Sequence, residues 1–358
     1  DAVSAGADIP REDLIVIFSH THAAGLMGLE RSDFPGGNLI APYLEQLGQT
    51  VARLAIEACD QMQSATIIYG TGRCSMAAQR DFWDPEHEAW ICGYHPETPA
   101  DDTVLVARVC SEEGTLLATL VNYACHPTTL AWENTLISSD YPGAMRETIE
   151  NATGVPCLFL QGASGELGPV EGFVGDVAVA DRNGRQLGYA ALSAFEALPA
   201  PGTRFVYQGP VVSGATLGDW RHEALSSEDI EAHGEWQINR DSIPLPIRPG
   251  TPSVEQVQAE LVDWEAKDTL DARAMAERKR RMLHRLDQLP LGDMFPIESV
   301  VLKIGGAVWV ILQGEFYSVL QTALRERFPG TPIIVSTIAS HWGASYLPPR
   351  ELYGKEIY

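Results

Sequence analysis

Long apolar runs are missing from this chain: none reaches the ~18 residues needed to span a bilayer, so no stable membrane insertion is expected. Positive charge is scarce. Lys plus Arg number 25 against 48 Asp plus Glu, a formal net charge of −23. That balance rules out the common electrostatic route to nucleic acid, in which a basic surface displaces counterions. It also disfavours docking on anionic leaflets, which attract Lys/Arg clusters. Closely spaced cysteine pairs are absent as well. Cys59, Cys74, Cys92, Cys110, Cys125 and Cys157 all lie in the first half without a CxxC, which argues for buried free thiols over a disulfide framework or a zinc finger. No internal repeat, low-complexity linker or signal-peptide pattern after Asp1 is visible, so the compartment and the oligomeric state are not legible.

Apolar residues make up 45% of the chain, which places it among globular proteins and away from acidic disordered tails. At 358 residues it buries a large core, and a single domain over 1–358 is expected. The pattern is α/β: layered mixed sheets flanked by helices. Strands are expected at Leu14–Phe18, about 103–110, 116–123 and 157–160, then 299–304, 308–312 and 333–338. Helices are expected at about 41–62, from Pro142, at 176–197 and at 315–328; Leu44, Leu47, Val51, Leu54 and Ala58 share one face of the first. Residues 74–100 read as a long structured loop. Residues 251–288 read as an inserted helical hairpin, whose basic cluster Arg278–Arg281 is expected to be a solvated face.

Chemistry gathers where apolar strands end, because strand ends hold loop geometry while leaving the loop open. Four such ends deliver His20 and His22, then His126, then the turn 161–169, then Glu315. Two histidines and a carboxylate are a normal zinc donor set. Spacing alone leaves other readings open. His20 and His22 could fill hydrogen bonds at a strand end. Glu315 could complement a helix dipole, and Asp140 could cap a helix or support a metal-bound histidine. His341 could line the pocket, while His87 and His95 read as surface residues.

Six segments in order resemble the neutral/alkaline, non-lysosomal ceramidase family. They are Ser-His-Thr-His at 19–22, Asn-Tyr-Ala-Cys-His-Pro-Thr-Thr-Leu at 122–130 and Ser-Ser-Asp-Tyr-Pro-Gly at 138–143. Gln-Gly-Ala-Ser-Gly-Glu at 161–166, Gln-Gly-Glu-Phe at 313–316 and Tyr-Leu-Pro-Pro-Arg-Glu at 346–351 complete the set. The resemblance implies that family's catalytic-domain fold and a zinc ion held by His20, His126, Glu315 and Tyr346. It implies His22 as a hydrogen-bonding or proton-transfer group, Tyr358 as an oxyanion-stabilising tyrosine, and an arginine, Arg80 with Arg73 as competitor, in the same site.

The chain departs from the family at one position. Where the family carries a serine proposed as nucleophile, the turn Gly165-Glu166-Leu167-Gly168-Pro169 has Gly168; Ser164 reads as a turn hydroxyl. The expected function is therefore zinc-dependent hydrolysis of an amide, N-acyl and ceramide-like, by an activated water. The alternatives are a zinc-dependent esterase or lyase on a polar, possibly sugar-derived small molecule, and a catalytically weak binding homologue. The acidic excess by itself suggests a neutral or cationic substrate.

Overall fold

The computed structural model describes residues 1–290, 292–339, 345–355 and 357. The mixed α/β architecture is as expected. One four-stranded sheet has the order Ala65–Arg73, Thr103–Ser111, Leu116–Tyr123, Cys157–Gln161, antiparallel except for its last, parallel pair. A second has the order Gln237–Pro246, Met294–Ile304, Ala307–Leu312, Ile333–Ser336, again ending in a parallel pair.

Side chains alternate between the two faces of the first sheet, as the period of two dictates. Val104, Val106, Val121 and Tyr123 pack under the helices Tyr141–Thr153 and Val177–Glu196, against Met145, Ile149, Leu187 and Phe195. Leu105, Ala107, Leu120 and Leu160 face the other way and meet Ile334 and Trp309 of the second sheet. Asn122 stitches the layers: its Nδ2 donates to Leu160 O at 3.0 Å and to Val335 O at 2.8 Å.

The parallel pair of the first sheet needs a crossover, and the helix Tyr141–Thr153 supplies it. Asp140 starts that helix, accepting from Tyr141 N at 2.6 Å and from Leu130 N at 2.9 Å; Gly154, at φ 72°, ends it. The two covering helices cross closely at Gly184. A Cβ there would lie 2.4 Å from Tyr141 O and 2.8 Å from Met145 N, so only glycine lets the backbones meet.

Several expectations need correction. Leu14–Phe18 is not a ladder strand; Ile17 makes one isolated bridge to Ala339. Ile15 and Ile17 pack inward while Val16 and Phe18 stay exposed, which is edge behaviour. Residues 74–100 contain short pairings that periodicity cannot register: Ala77–Gln79 with Leu167–Pro169, and a hairpin of Asp81–Asp84 with Ala89–Cys92. The helix placed at Glu315 begins at Val319, because Gly314 (φ 84°) breaks the chain and Glu315–Phe316 pairs in parallel with Tyr346–Leu347. On the helix Ile40–Asp60, Leu47, Val51 and Leu54 remain exposed. Residues 203–246, outside the elements anticipated above, hold a hairpin (Thr203–Val212 with Thr216–Ala224), a short helix and an edge strand.

The helical hairpin is present as Val254–Glu265 and Leu270–Asp287. Its basic cluster is not a free solvated face. Lys279 pairs with Glu260 and Arg280 with Glu265, while the buried Arg31 grips Glu277 through both terminal nitrogens and ties the hairpin to the N-terminal segment. All six cysteines are free thiols, four of them buried. No helix among the described residues is long and apolar enough to cross a membrane.

Gly184→Ala is expected to destabilise by about 1–3 kcal/mol through forced helix separation. Gly48→Ala, on an open helix surface with nothing within 4 Å, should stabilise by about 0.5–1 kcal/mol. Urea unfolding of both variants checks the pair; equal effects would contradict the close crossing.

Candidate metal centre

Four chain segments converge on one point beyond the strand ends. His20 follows the edge segment and adopts φ 68°, an uncommon left-handed backbone for a non-glycine residue. Its neighbours hold it there: Thr21 Oγ1 donates to Ser138 O at 2.7 Å, and His22 N donates to Pro127 O at 3.3 Å. His126 follows the strand Leu116–Tyr123 and is fully buried, with its N–H bonded to Leu167 O at 2.9 Å. The turn 161–169 folds against the Glu315 strand through Gly165, whose N–H donates to Phe316 O at 2.8 Å. A Cβ on Gly165 would sit 2.9 Å from Glu315 O, so glycine permits that approach. Glu166 anchors the far side, accepting from Ser318 N at 2.9 Å; burial pushes its carboxyl up to about 7.

The His126 ring has one orientation available. Its Nδ1 lies 2.6 Å from Ser164 O and 3.2 Å from Leu167 O, both acceptors, so Nδ1 carries the hydrogen. Nε2 therefore presents a lone pair. It faces Glu315 Oε2 at 3.0 Å and the Tyr346 hydroxyl at 3.5 Å. Glu315 Oε2 is also 3.3 Å from His20 Nε2, which lies 3.4 Å from His22 Nε2.

The charges bear on whether these side chains could hold a cation. Burial, then the Arg80 charge, lowers the His126 pKa to about 3, so the ring is neutral and has no Nε2 proton to give Glu315. Burial would raise the Glu315 carboxyl; hydrogen bonding and positive charge at the adjoining His126 and His20 edges outweigh it and hold the group well below the usual carboxylate range, so Glu315 is ionised only while positive charge sits at that edge. A buried carboxylate thus confronts an imidazole lone pair at 3.0 Å, a repulsive pairing that a cation between them relieves. Zinc bonds of ~2.0–2.1 Å place tetrahedral donors about 3.3–3.4 Å apart, close to the 3.0, 3.3 and 3.4 Å separations here. The donor atoms of His20, His22 and His126 all lie within 4.8 Å of one another. The residues fit a zinc ion.

Arg80 packs behind this cluster and is 2% exposed. Its Nη2 donates to Gly165 O at 2.6 Å, and its guanidinium lies 5.3 Å from the centre of the Tyr346 ring. Burial opposes the Arg80 charge, but Tyr346 and Glu315 outweigh burial and keep it protonated. The competitor Arg73 is elsewhere, on the surface and paired with Asp102 at 2.7 Å. His22 sits in a recess with an edge open to solvent; crowding by protein, then the His20 charge, lowers its pKa to about 4.

The remaining candidates separate clearly. Ser164 is a buried turn hydroxyl that accepts from Gln161 Nε2 at 2.6 Å. Gly168 lies beside Arg80 with room for a side chain, since a Cβ would be 3.7 Å from Thr128 Oγ1 and 3.8 Å from Arg80 Cδ. Asp140 caps its helix and bonds Leu130 N; carbonyls, not Asp140, orient His126. His87 pairs with Asp84 at the surface, and His95 bonds Thr98. Tyr358 and His341 lie outside the described residues. Arg285, missed in the sequence, reaches the edge of the cluster from the helical hairpin: its Nη1 donates to Ser345 Oγ at 3.0 Å, next to Tyr346. It lies four residues past the basic cluster Arg278–Arg281, which by its charge reads as a solvated face.

No protein-family model matches the chain, and no curated protein matches it either. Solved structures do. A ceramidase complexed with C2 aligns over 100% of this chain and 60% of its own, with a TM-score of 0.57 at 16% identity. The neutral ceramidase from Pseudomonas aeruginosa aligns over 98% of this chain and 58% of its own, with a TM-score of 0.54 at 15% identity. The fold is similar to that of these ceramidases. The chain spans about three fifths of their length. At this identity the likeness speaks for the arrangement of strands and helices, and the site stands on its own geometry.

A neutral His126 makes stability depend on pH. Its folded pKa, about 3, is below the unfolded value near 6.5, so the unfolded chain binds the extra proton and stability falls as pH drops through 6.5. In chelator-treated protein this contributes about 2 kcal/mol of loss between pH 6.5 and 4.5. His126→Asn, which retains a donor for Ser164 O, should remove that increment from the pH profile of urea unfolding. Superimposable profiles would refute the neutral-ring assignment.

Proposed function

We propose that the chain is a zinc-dependent hydrolase that cleaves an amide, N-acyl and ceramide-like, with water as the nucleophile. The observation that carries this reading is the convergence of His20, His126, Glu315 and Tyr346, with the unprotonated Nε2 of His126 set against the Glu315 carboxylate. These four residues would hold zinc. When bound, zinc supplies a Lewis acid and lowers the pKa of a coordinated water toward ~7.

The chain's own residues supply the rest. His22, neutral and open to solvent at its edge, takes the proton of the attacking water at an imidazole nitrogen and returns it to the leaving amine. Arg80, held in place by Gly165 O and stacked behind Tyr346, puts a permanent positive charge near the carbonyl oxygen as it becomes an oxyanion. For Tyr358 the family resemblance implies an oxyanion-stabilising role. Gly168 offers no side-chain nucleophile, and Ser164 is committed to Gln161, which favours direct attack by water over an acyl-enzyme.

The cluster of three histidines supports a second ligand set in which His22 replaces Tyr346. The two sets differ in one outcome: His22→Gln keeps stoichiometric zinc if the residue moves protons and loses it if the residue is a ligand.

The decisive experiment is metal analysis combined with release of fatty acid from N-acyl amides. His20→Ala and His126→Ala should each lose zinc and reduce kcat/KM by at least ~10³-fold. His22→Gln should lower kcat by ~10²–10⁴-fold with zinc retained. A double His20/His126 variant that keeps one zinc per chain, or amide cleavage that survives complete zinc removal, would overturn the assignment.

A further inference from the structure

The helix Leu270–Asp287 brings a basic edge to the mouth of the metal cluster. Arg278, Arg281 and Arg285 follow at intervals of three and four, which places them on one face. Arg285 is half-buried and bonded to Ser345 Oγ at 3.0 Å. The Ser345 carbonyl accepts the Glu315 N–H at 2.9 Å, and Tyr346 pairs with Glu315 in the next position. A guanidinium is therefore tied to the strand pair that carries two of the four proposed zinc donors.

The charges are felt across the gap. Arg285 interacts with both Glu315 and Tyr346, and Arg281 lies one turn before it on the same helix face. Burial, then repulsion by Arg281, holds the Arg285 pKa below its ordinary value, a mark of cations crowded along one edge. Arg80 adds a buried positive charge from the opposite side, behind Tyr346. Like charges three and four apart on a helix repel. Glu277 relieves part of this, lying 3.7 Å from Arg281, but it is also gripped by Arg31. The Arg281 side chain remains 44% exposed. In a chain of net charge −23, this concentrates positive charge beside the cluster, and a local excess of that kind attracts anions.

We infer that Arg281 and Arg285 read an anionic group on the substrate, so that the preferred substrate is an N-acyl amide whose amine half carries an oxyanion. N-acyl amino acids and N-acyl aminosulfonates share that chemistry; N-acyl alkanolamines lack it. The inference rests on the amidase reading for the scissile bond, while the oxyanion contact is a matter of binding alone. It reverses the expectation, drawn from net charge, of a neutral or cationic substrate.

The test compares N-dodecanoylglycine, N-dodecanoyltaurine and the neutral N-dodecanoylglycinamide on zinc-loaded protein, by titration calorimetry and by fatty-acid release. Both anions should bind at least ~10-fold more tightly than the amide, with the advantage falling as salt rises. Arg281→Gln, at an exposed position, should cut the advantage severalfold. Arg281→Gln with Arg285→Gln should abolish it, while Arg285→Lys should retain part of it. A preference for glycine over taurine, or the reverse, identifies the anion. Equal affinity for the anions and the amide, or an anion preference that survives the double substitution, overturns the inference, and hydrolysis of all three at equal rates does so while leaving the amidase reading intact. Anion-selective binding without hydrolysis supports the basic edge and overturns the amidase reading; no binding of any compound overturns both.

Discussion

One hydrogen-bonding constraint governs the rest of the site. Two carbonyl oxygens, of Ser164 and Leu167, claim the Nδ1 hydrogen of the buried His126. That choice leaves Nε2 as a lone pair, aimed at Glu315 Oε2 from 3.0 Å. Burial keeps the imidazole neutral, while an ionised Glu315 calls for positive charge at the histidine edge that this ring does not itself supply. The arrangement is coherent when a divalent cation lies among the donors, and His20 and Tyr346 stand where they would complete its surroundings.

The fold exists, at this end, to hold that constraint. The carbonyls come from the 161–169 turn, which follows the last, parallel strand of the first sheet. His126 comes from the end of the strand beside it, and Glu315 comes from the two-residue strand that follows Ala307–Leu312 and pairs with Tyr346–Leu347. Asn122 locks the two sheets together one turn of chain below the site. Arg80 and Gly165 then fasten the turn to the layer behind Tyr346. Displacing any one of these elements would separate donors that must agree to within a few tenths of an ångström.

How much of this was legible differs from residue to residue. The strands expected at about 103–110 and 116–123 and the helix expected at 176–197 end within one or two residues of those bounds, and the helix expected from Pro142 starts one residue earlier, at Tyr141. His20, His126 and Glu315 were placed in one site by the order of motifs, not by spacing, since 295 residues separate His20 from Glu315. Glu315 was assigned to a helix start because apolar spacing continues through it; the glycine before it and a two-residue pairing with Tyr346 decide otherwise. Arg80 and Arg73 are alike in sequence, and only burial separates them. Arg285 lies just past the basic cluster Arg278–Arg281, and only the packing of the hairpin brings it to Ser345, next to Tyr346. Net charge sums over the whole surface, whereas a site responds to the few charges that face it.

We propose that a zinc ion belongs among His20, His126, Glu315 and Tyr346. X-ray absorption at the zinc edge of the metal-loaded protein addresses it directly. The account predicts four to five nitrogen and oxygen neighbours near ~2.0–2.1 Å, with the outer-shell scattering of at least two imidazole rings and no sulfur. Sulfur neighbours near ~2.3 Å, drawn from the free cysteines, or a spectrum without imidazole, would contradict it.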